Sequence, residues 1–196
     1  MTQAQPLQRK VWTAVLFIAA ALIVLRFGLL LHATNPLYID EIGSAVHASS
    51  LLATGHDFAG QAWPLMSKSF GGGYTTGVYL YPLTAWASIF GDSAQALRAF
   101  SEFVTVLAII ILAWAGGVWH GKRLAAIMLL VGLTLPWNWV GGTMAWDPAI
   151  TPLLIALGFL FFSLLARRSY STQNQILLLI GLTVSFVLAA YSYLPT

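Results

Sequence analysis

The chain has 196 residues; 59% are hydrophobic, only 8% are charged, and mean hydropathy is +0.80. A soluble domain is roughly 45–50% apolar and about 25% charged, so a water-soluble globule is excluded. The net charge of +3 comes from basic residues that do not cluster, which excludes a nucleic-acid footprint, and the absence of cysteine excludes disulfide and thiolate chemistry.

Several stretches reach the roughly 18–20 apolar residues needed to cross a hydrocarbon core about 30 Å thick. The alternating segments of about 10 residues that mark a membrane barrel do not occur. The expected fold class is an all-α polytopic membrane protein, with about five transmembrane helices and juxtamembrane helices in a long first extracytoplasmic loop. The first span, 11–31, follows Arg9 and Lys10. It is too long for the core of a signal peptide and no small-x-small cleavage site follows it, so it reads as an uncleaved signal anchor.

The loop 32–95 comes next, and its polar part, 32–77, is too long for a turn. Asp40 is placed to cap a helix running to about residue 54, with Gly55 as its stop. Ile42, Ala45, Val46, Ser49 and Leu52 give that helix a weak apolar stripe, which suits a helix lying on the outer membrane surface. A short apolar helix over 79–90, closed by Gly91, is expected to lie at the interface or enter it partway. Asp92 and Gln95 resemble a capping box opening the second span, 96–119. The remaining spans are 124–140, 148–166 and 176–194.

The basic residues fix an orientation. Arg9/Lys10, Lys122/Arg123 and Arg167/Arg168 fall at alternate ends of successive spans, so all three pairs reach one side, the cytoplasm. Asp40, Glu41, Asp57, Asp92 and Asp147 reach the opposite side, where Lys68 is the only loop cation. Trp137, Trp139 and Trp146 gather at that outer interface, as an aromatic belt does.

Carboxylates are costly in so apolar a chain, which directs attention to Asp40 and Glu41. Two readings stand. Asp40 is an N-cap and Glu41 a first-turn charge, or the pair holds a general base in a cavity open to the outer face. Asp147, followed by Pro148, likewise either starts the fourth span or faces the same cavity. Arg26, near the outer end of the first span, either snorkels or pairs with a carboxylate or phosphate. Arg98 and Glu102, four apart, read as a structural ion pair, with Arg98 also suited to a lipid phosphate. Lys68 precedes a run of glycines and stands either in a plain surface loop or near a ligand. His32, His47, His56 and His120 lack a metal-ligand spacing; His47 and His56 share the loop with carboxylates, which leaves room for a divalent cation.

Several segments then resemble a known family. Leu25-Arg26-Phe27 is followed by Leu37-Tyr38-Ile39-Asp40-Glu41. Gly71-Gly72-Gly73-Tyr74 leads to Tyr79-Leu80-Tyr81-Pro82-Leu83. Phe90-Gly91-Asp92 precedes Ala96-Leu97-Arg98-Ala99-Phe100-Ser101, which is similar to an R-L-P-S helix start, although Ala99-Phe100 replaces Leu-Pro. Trp146-Asp147 and Tyr191-Ser192-Tyr193-Leu194-Pro195 complete the series. In this order they resemble the N-terminal part of a GT-C glycosyltransferase, closest to the protein O-mannosyltransferases and lipid A aminoarabinose transferases. The basic residue often found before the counterpart of Asp147 is missing.

The resemblance implies inverting transfer of a sugar from a polyprenyl-phosphate carrier to a protein, lipid A or glycan acceptor. It places the protein in the inner or plasma membrane with the site on the extracytoplasmic side. Asp40 would be the base, Glu41 its neighbouring carboxylate, and Asp147 would orient acceptor or base. Arg26, Lys68 and Arg98 would hold the lipid phosphate; no metal or nucleotide sugar is implied. Family members have about twice as many spans, so residues 1–196 are expected to be an N-terminal module whose C-terminal half is absent. The alternative is a non-catalytic lipid-binding or assembly subunit of the same fold. An ion-coupled carrier fits poorly, because the span interiors are nearly free of ionisable residues.

Overall fold

The computed structural model describes residues 4–33, 35–70, 73–167 and 170–192, with side chains from Lys10 onward. Gly71 and Gly72 of the glycine run, Arg168 and the Tyr193-Leu194-Pro195 end of the last motif lie outside the described residues, as does the Arg9 side chain. In chain order the structure forms α1 (Ala4–Leu31), α2 (Ile39–Thr54), strands β1 (Met66–Lys68) and β2 (Tyr74–Thr76), and α3 (Gly77–Phe90). There follow α4 (Ala94–His120), α5 (Lys122–Thr134), α6 (Pro136–Gly142), a tight helical turn (Asp147–Ile150), α7 (Thr151–Arg167) and α8 (Thr172–Ser192).

Among the described residues four helices are long and apolar enough to cross a membrane: α1, α4, α7 with its preceding turn, and α8. Helices α5 and α6 make a fifth if the pair is one span bent by 61°. The protein is an all-α polytopic membrane protein.

The expected continuous span over 124–140 is corrected by that bend. Pro136 has no N–H and forces the residue before it out of the helical region. Leu135 accordingly adopts an extended conformation (φ −63°, ψ 123°) between the two helices. Side chains then satisfy the carbonyls the break leaves open. Asn138 Nδ2 donates to Gly132 O at 2.9 Å, and Trp139 Nε1 donates to Leu133 O at 2.8 Å.

Other helix ends follow local chemistry. Gly55 closes α2 in the left-handed region (φ 73°), where a side chain would be strained. Helix α4 is capped by the Ser93 hydroxyl, which accepts from the Ala96 amide at 3.2 Å. The expected Asp92–Gln95 capping box is therefore corrected: Asp92 instead accepts a hydrogen bond from the Ser49 hydroxyl of α2 at 2.9 Å. The antiparallel hairpin, with Ser67 opposite Thr75, was not foreseen; three-residue strands are too short to show an alternating pattern.

Two apolar cores hold the helices. The larger gathers Leu51, Tyr79, Leu80, Leu83, Leu97, Phe100 and Leu154 from α2, α3, α4 and α7. Helix α3 packs one face into this core, with Tyr79, Leu80 and Leu83 fully buried, while Ile89 and Phe90 at its end are exposed. The smaller joins α1, α4 and α5 through Ala19, Val106, Ile109 and Leu133. Helices α7 and α8 pack reciprocally: the Phe186 ring lies over Gly158, and the Phe161 ring over Gly181.

Helix α2 turns inward a face other than its apolar stripe, whose ends stay exposed. Gly43, Ser44, His47, Ala48 and Leu51 are buried, while Ile42 and Leu52 are exposed. Small side chains let α2 approach the hairpin closely; a Cβ on Gly43 would stand 3.0 Å from the Ser69 hydroxyl.

Candidate functional site

The charges of the folded bundle separate by end. The α4–α5 corner, with Lys122 and Arg123, and the last turn of α7 meet at one end, where Arg167 lies over the Trp119 ring at 4.5 Å. The acidic residues gather toward the other end, around the start of α2, the start of α4 and the turn before α7.

There, two buried ion pairs tie distant segments together. Arg98 of α4 donates from Nε and Nη2 to the two Glu41 oxygens, both at 2.7 Å. Its remaining bonds go to the Asn35 and Pro36 carbonyls at 3.0 Å. Glu41 also accepts the Tyr38 amide at 2.8 Å and the Ala145 amide at 2.9 Å. One carboxylate therefore joins the start of α2, the second turn of α4 and the segment just before Asp147. Burial alone would raise the Glu41 pKa. Hydrogen bonds from Arg98, Tyr38 and Ala145, with the guanidinium charge, outweigh that and hold the carboxyl below its ordinary value of 4.5.

The second pair joins Arg26 of α1 to Glu102 of α4, through Nε and through Nη2 at 3.0 Å. Arg26 also donates to the Leu133 carbonyl at 3.1 Å and the Asn138 carbonyl at 2.8 Å, and lies over the Trp139 ring at 4.7 Å. The bend between α5 and α6 thus closes around this guanidinium. The expected Arg98–Glu102 pair is corrected: one turn apart on α4, the two residues face different neighbours and each finds a longer-range partner.

The six sequence-derived candidates fall into distinct settings. Arg26 and Arg98 each have four of five N–H groups bonded within the protein, so neither presents a free fork to a phosphate. Glu41 is buried and saturated with donors. Asp40, its neighbour, is only half-buried and outside both ion pairs. It is not the N-cap of α2, a position taken by Tyr38. Asp147, also half-buried, stands two residues after Ala145, whose amide Glu41 accepts. Lys68 is exposed on β1, and its carbonyl bonds His47, two turns of α2 beyond Asp40.

His47, which the sequence leaves open to a divalent cation, and Asp57 are buried in this region. The Phe58 amide donates to His47 Nδ1, so the proton of neutral His47 sits on Nε2 and is donated to the Lys68 carbonyl. The ring fastens the hairpin to α2. Asp57 accepts the Gln61 amide at 2.8 Å. Among the described residues no group of three His, Asp or Glu side chains stands close enough to hold a metal.

Beside the acidic end, α3, α7 and α8 leave an apolar cavity of about 450 Å³ lined by Val78, Tyr81, Ile150, Leu154, Leu188 and Tyr191, among others. Its two tyrosine hydroxyls donate to the Pro64 and Leu65 carbonyls. The indole N–H of Trp146, next to Asp147, is buried without an acceptor among the described residues. Comparison with known protein families, characterised proteins and solved structures finds no match for this chain.

Proposed function

We propose that this chain is a membrane module of a GT-C-type glycosyltransferase, moving a sugar from a polyprenyl-phosphate donor to an acceptor at the acidic end of the bundle. The observation that carries the reading is the pairing of Asp40 with Asp147. Both are half-buried, and Glu41 draws them to the same end: it follows Asp40 in α2 and accepts the amide of Ala145, two residues before Asp147. A carboxylate outside the ion-pair network is available as a base; one inside it is not.

In a single displacement the acceptor oxygen attacks the anomeric carbon as the sugar–phosphate bond breaks. The acceptor proton passes to Asp40, Asp147 orients the acceptor, and the bond pair leaves with the lipid phosphate. Inversion at the anomeric carbon follows from the one-step attack. Glu41 becomes a positioning residue. Arg26 and Arg98 are replaced as phosphate ligands by Lys68, the cation at this end without a carboxylate partner among the described residues. The cavity lined by Tyr81, Leu154 and Leu188 suits the isoprenoid chain, because Ile150, in its wall, lies one turn from Asp147. The site faces the extracytoplasmic side of the cell membrane.

The test is sugar transfer from polyprenyl-phosphate hexose in proteoliposomes. Asp40→Asn is expected to lower the rate at least 100-fold, the usual scale of a lost general base, with unchanged membrane expression. Undiminished transfer by that variant overturns the role of Asp40. Absence of transfer from any lipid-linked sugar in the native membrane as well as in proteoliposomes, with lipid binding intact, favours a non-catalytic lipid-binding or assembly subunit.

A further inference from the structure

A second groove lies toward the basic end of the bundle, on residues the proposed chemistry does not use. Helices α1, α4 and α5 leave an apolar cavity of about 350 Å³ bounded by Trp12, Leu16, Ile23, Ile110, Trp114 and Leu129, among others. Small residues create it: Ala19, Ala20, Ala113 and Ala125 offer single methyl groups where the helices would otherwise close. No ionisable side chain lines it. Helices α1 and α4 are long and apolar enough to cross a membrane, and α5 is half of the bent pair that makes a further span, so a bilayer around them would bring acyl chains rather than water to the cavity.

Its basic end is charged. Lys10 stands two residues from Trp12, and Lys122 and Arg123 stand within one turn of Ala125. All three cations are exposed, and none has a carboxylate within ion-pair distance among the described residues, whose acids gather at the other end. We infer that this groove docks one anionic glycerophospholipid of the surrounding bilayer. An acyl chain lies between Trp12, Ile23 and Leu129, and the headgroup phosphate meets Lys10, Lys122 and Arg123. Charge complementarity selects this occupant: a zwitterionic lipid sets its own ammonium beside the three cations. A second copy of the chain, docked isologously, sets the cations against their own kind.

The experiment is lipid retention by the purified full chain, read by native mass spectrometry. The protein is extracted from vesicles of phosphatidylcholine alone or of equal parts phosphatidylcholine and phosphatidylglycerol. One phosphatidylglycerol is expected to stay bound preferentially. In K122Q/R123Q the preference falls roughly fivefold per charge removed. Ala20 is exposed and lines the groove; A20W fills the groove without entering a packed core and is expected to abolish retention with all cations intact. Equal retention of both lipids overturns the proposal. So does phosphatidylglycerol preference that survives A20W, since the cations then act only as diffuse surface charge. Glycerol phosphate added without acyl chains is expected to leave retention unchanged; displacement of the lipid by it overturns the role of the groove.

Discussion

Glu41 shows how one side chain ties three segments of the acidic end together. Its carboxylate is buried against a bidentate Arg98, and removing one partner of such a pair leaves an uncompensated charge. Glu41→Gln is therefore expected to cost about 3–5 kcal/mol, measured by thermal unfolding in detergent, and Glu41→Gln/Arg98→Met to recover much of the loss. The pH dependence has a definite sign. The folded-state pKa of Glu41 lies below 4.5, so unfolding takes up a proton below that pH. Its stabilisation is complete above pH 4.5 and disappears as pH falls through the lowered folded value. A flatter acid limb of the thermal midpoint in Glu41→Gln than in the parent checks this. Gly142 makes the companion case: a Cβ there would run into the Glu102 carboxylate, whereas one on neighbouring Gly141 meets nothing within 4 Å. Gly142→Ala is expected to destabilise by about 1–3 kcal/mol, and Gly141→Ala to be neutral or to stabilise by up to about 1 kcal/mol.

The bent α5–α6 pair carries its own chemistry at the scale of an element. Proline starts the break, but the open carbonyls around it belong to apolar surroundings, where an unpaired group is costly. Asn138, Trp139 and Arg26 supply the donors. Asn138→Ala is expected to cost about 1–3 kcal/mol by orphaning the Gly132 carbonyl, more than Pro136→Ala, which restores a donor. Equal losses in the two unfolding curves would show that the proline, not the side-chain donors, holds the bend. The sequence contained half of this element: Leu135-Pro136 is a legible stop. The other half was not legible, because the donor at Arg26 lies more than a hundred residues from its acceptors.

The whole molecule is organised by separation of charge along the bundle, with the acidic pair and Asp147 at one end and the Lys122–Arg123 corner at the other. That arrangement predicts topology. The chain has no cysteine, so single cysteines report sidedness without background. Ala59→Cys and Ser171→Cys, both at exposed positions, are expected to react with an impermeant maleimide from opposite sides of the membrane, Ala59→Cys from outside. Labelling of both from one side would overturn the orientation.

Composition and the spacing of apolar runs determined the membrane class, four of the span positions and the stops at Gly55 and Gly91, because these depend on local hydropathy and backbone preference. They also directed attention to Asp40, Glu41 and Asp147. Only the tertiary structure decided which of these carboxylates is committed. Glu41 pairs with Arg98 and Glu102 with Arg26 because α4 presents successive turns to different helices, and partner choice between buried charges depends on which faces meet. The inward face of α2 was hidden for the same reason. Hydropathy ranks its large side chains, whereas close approach to the hairpin selects its small ones.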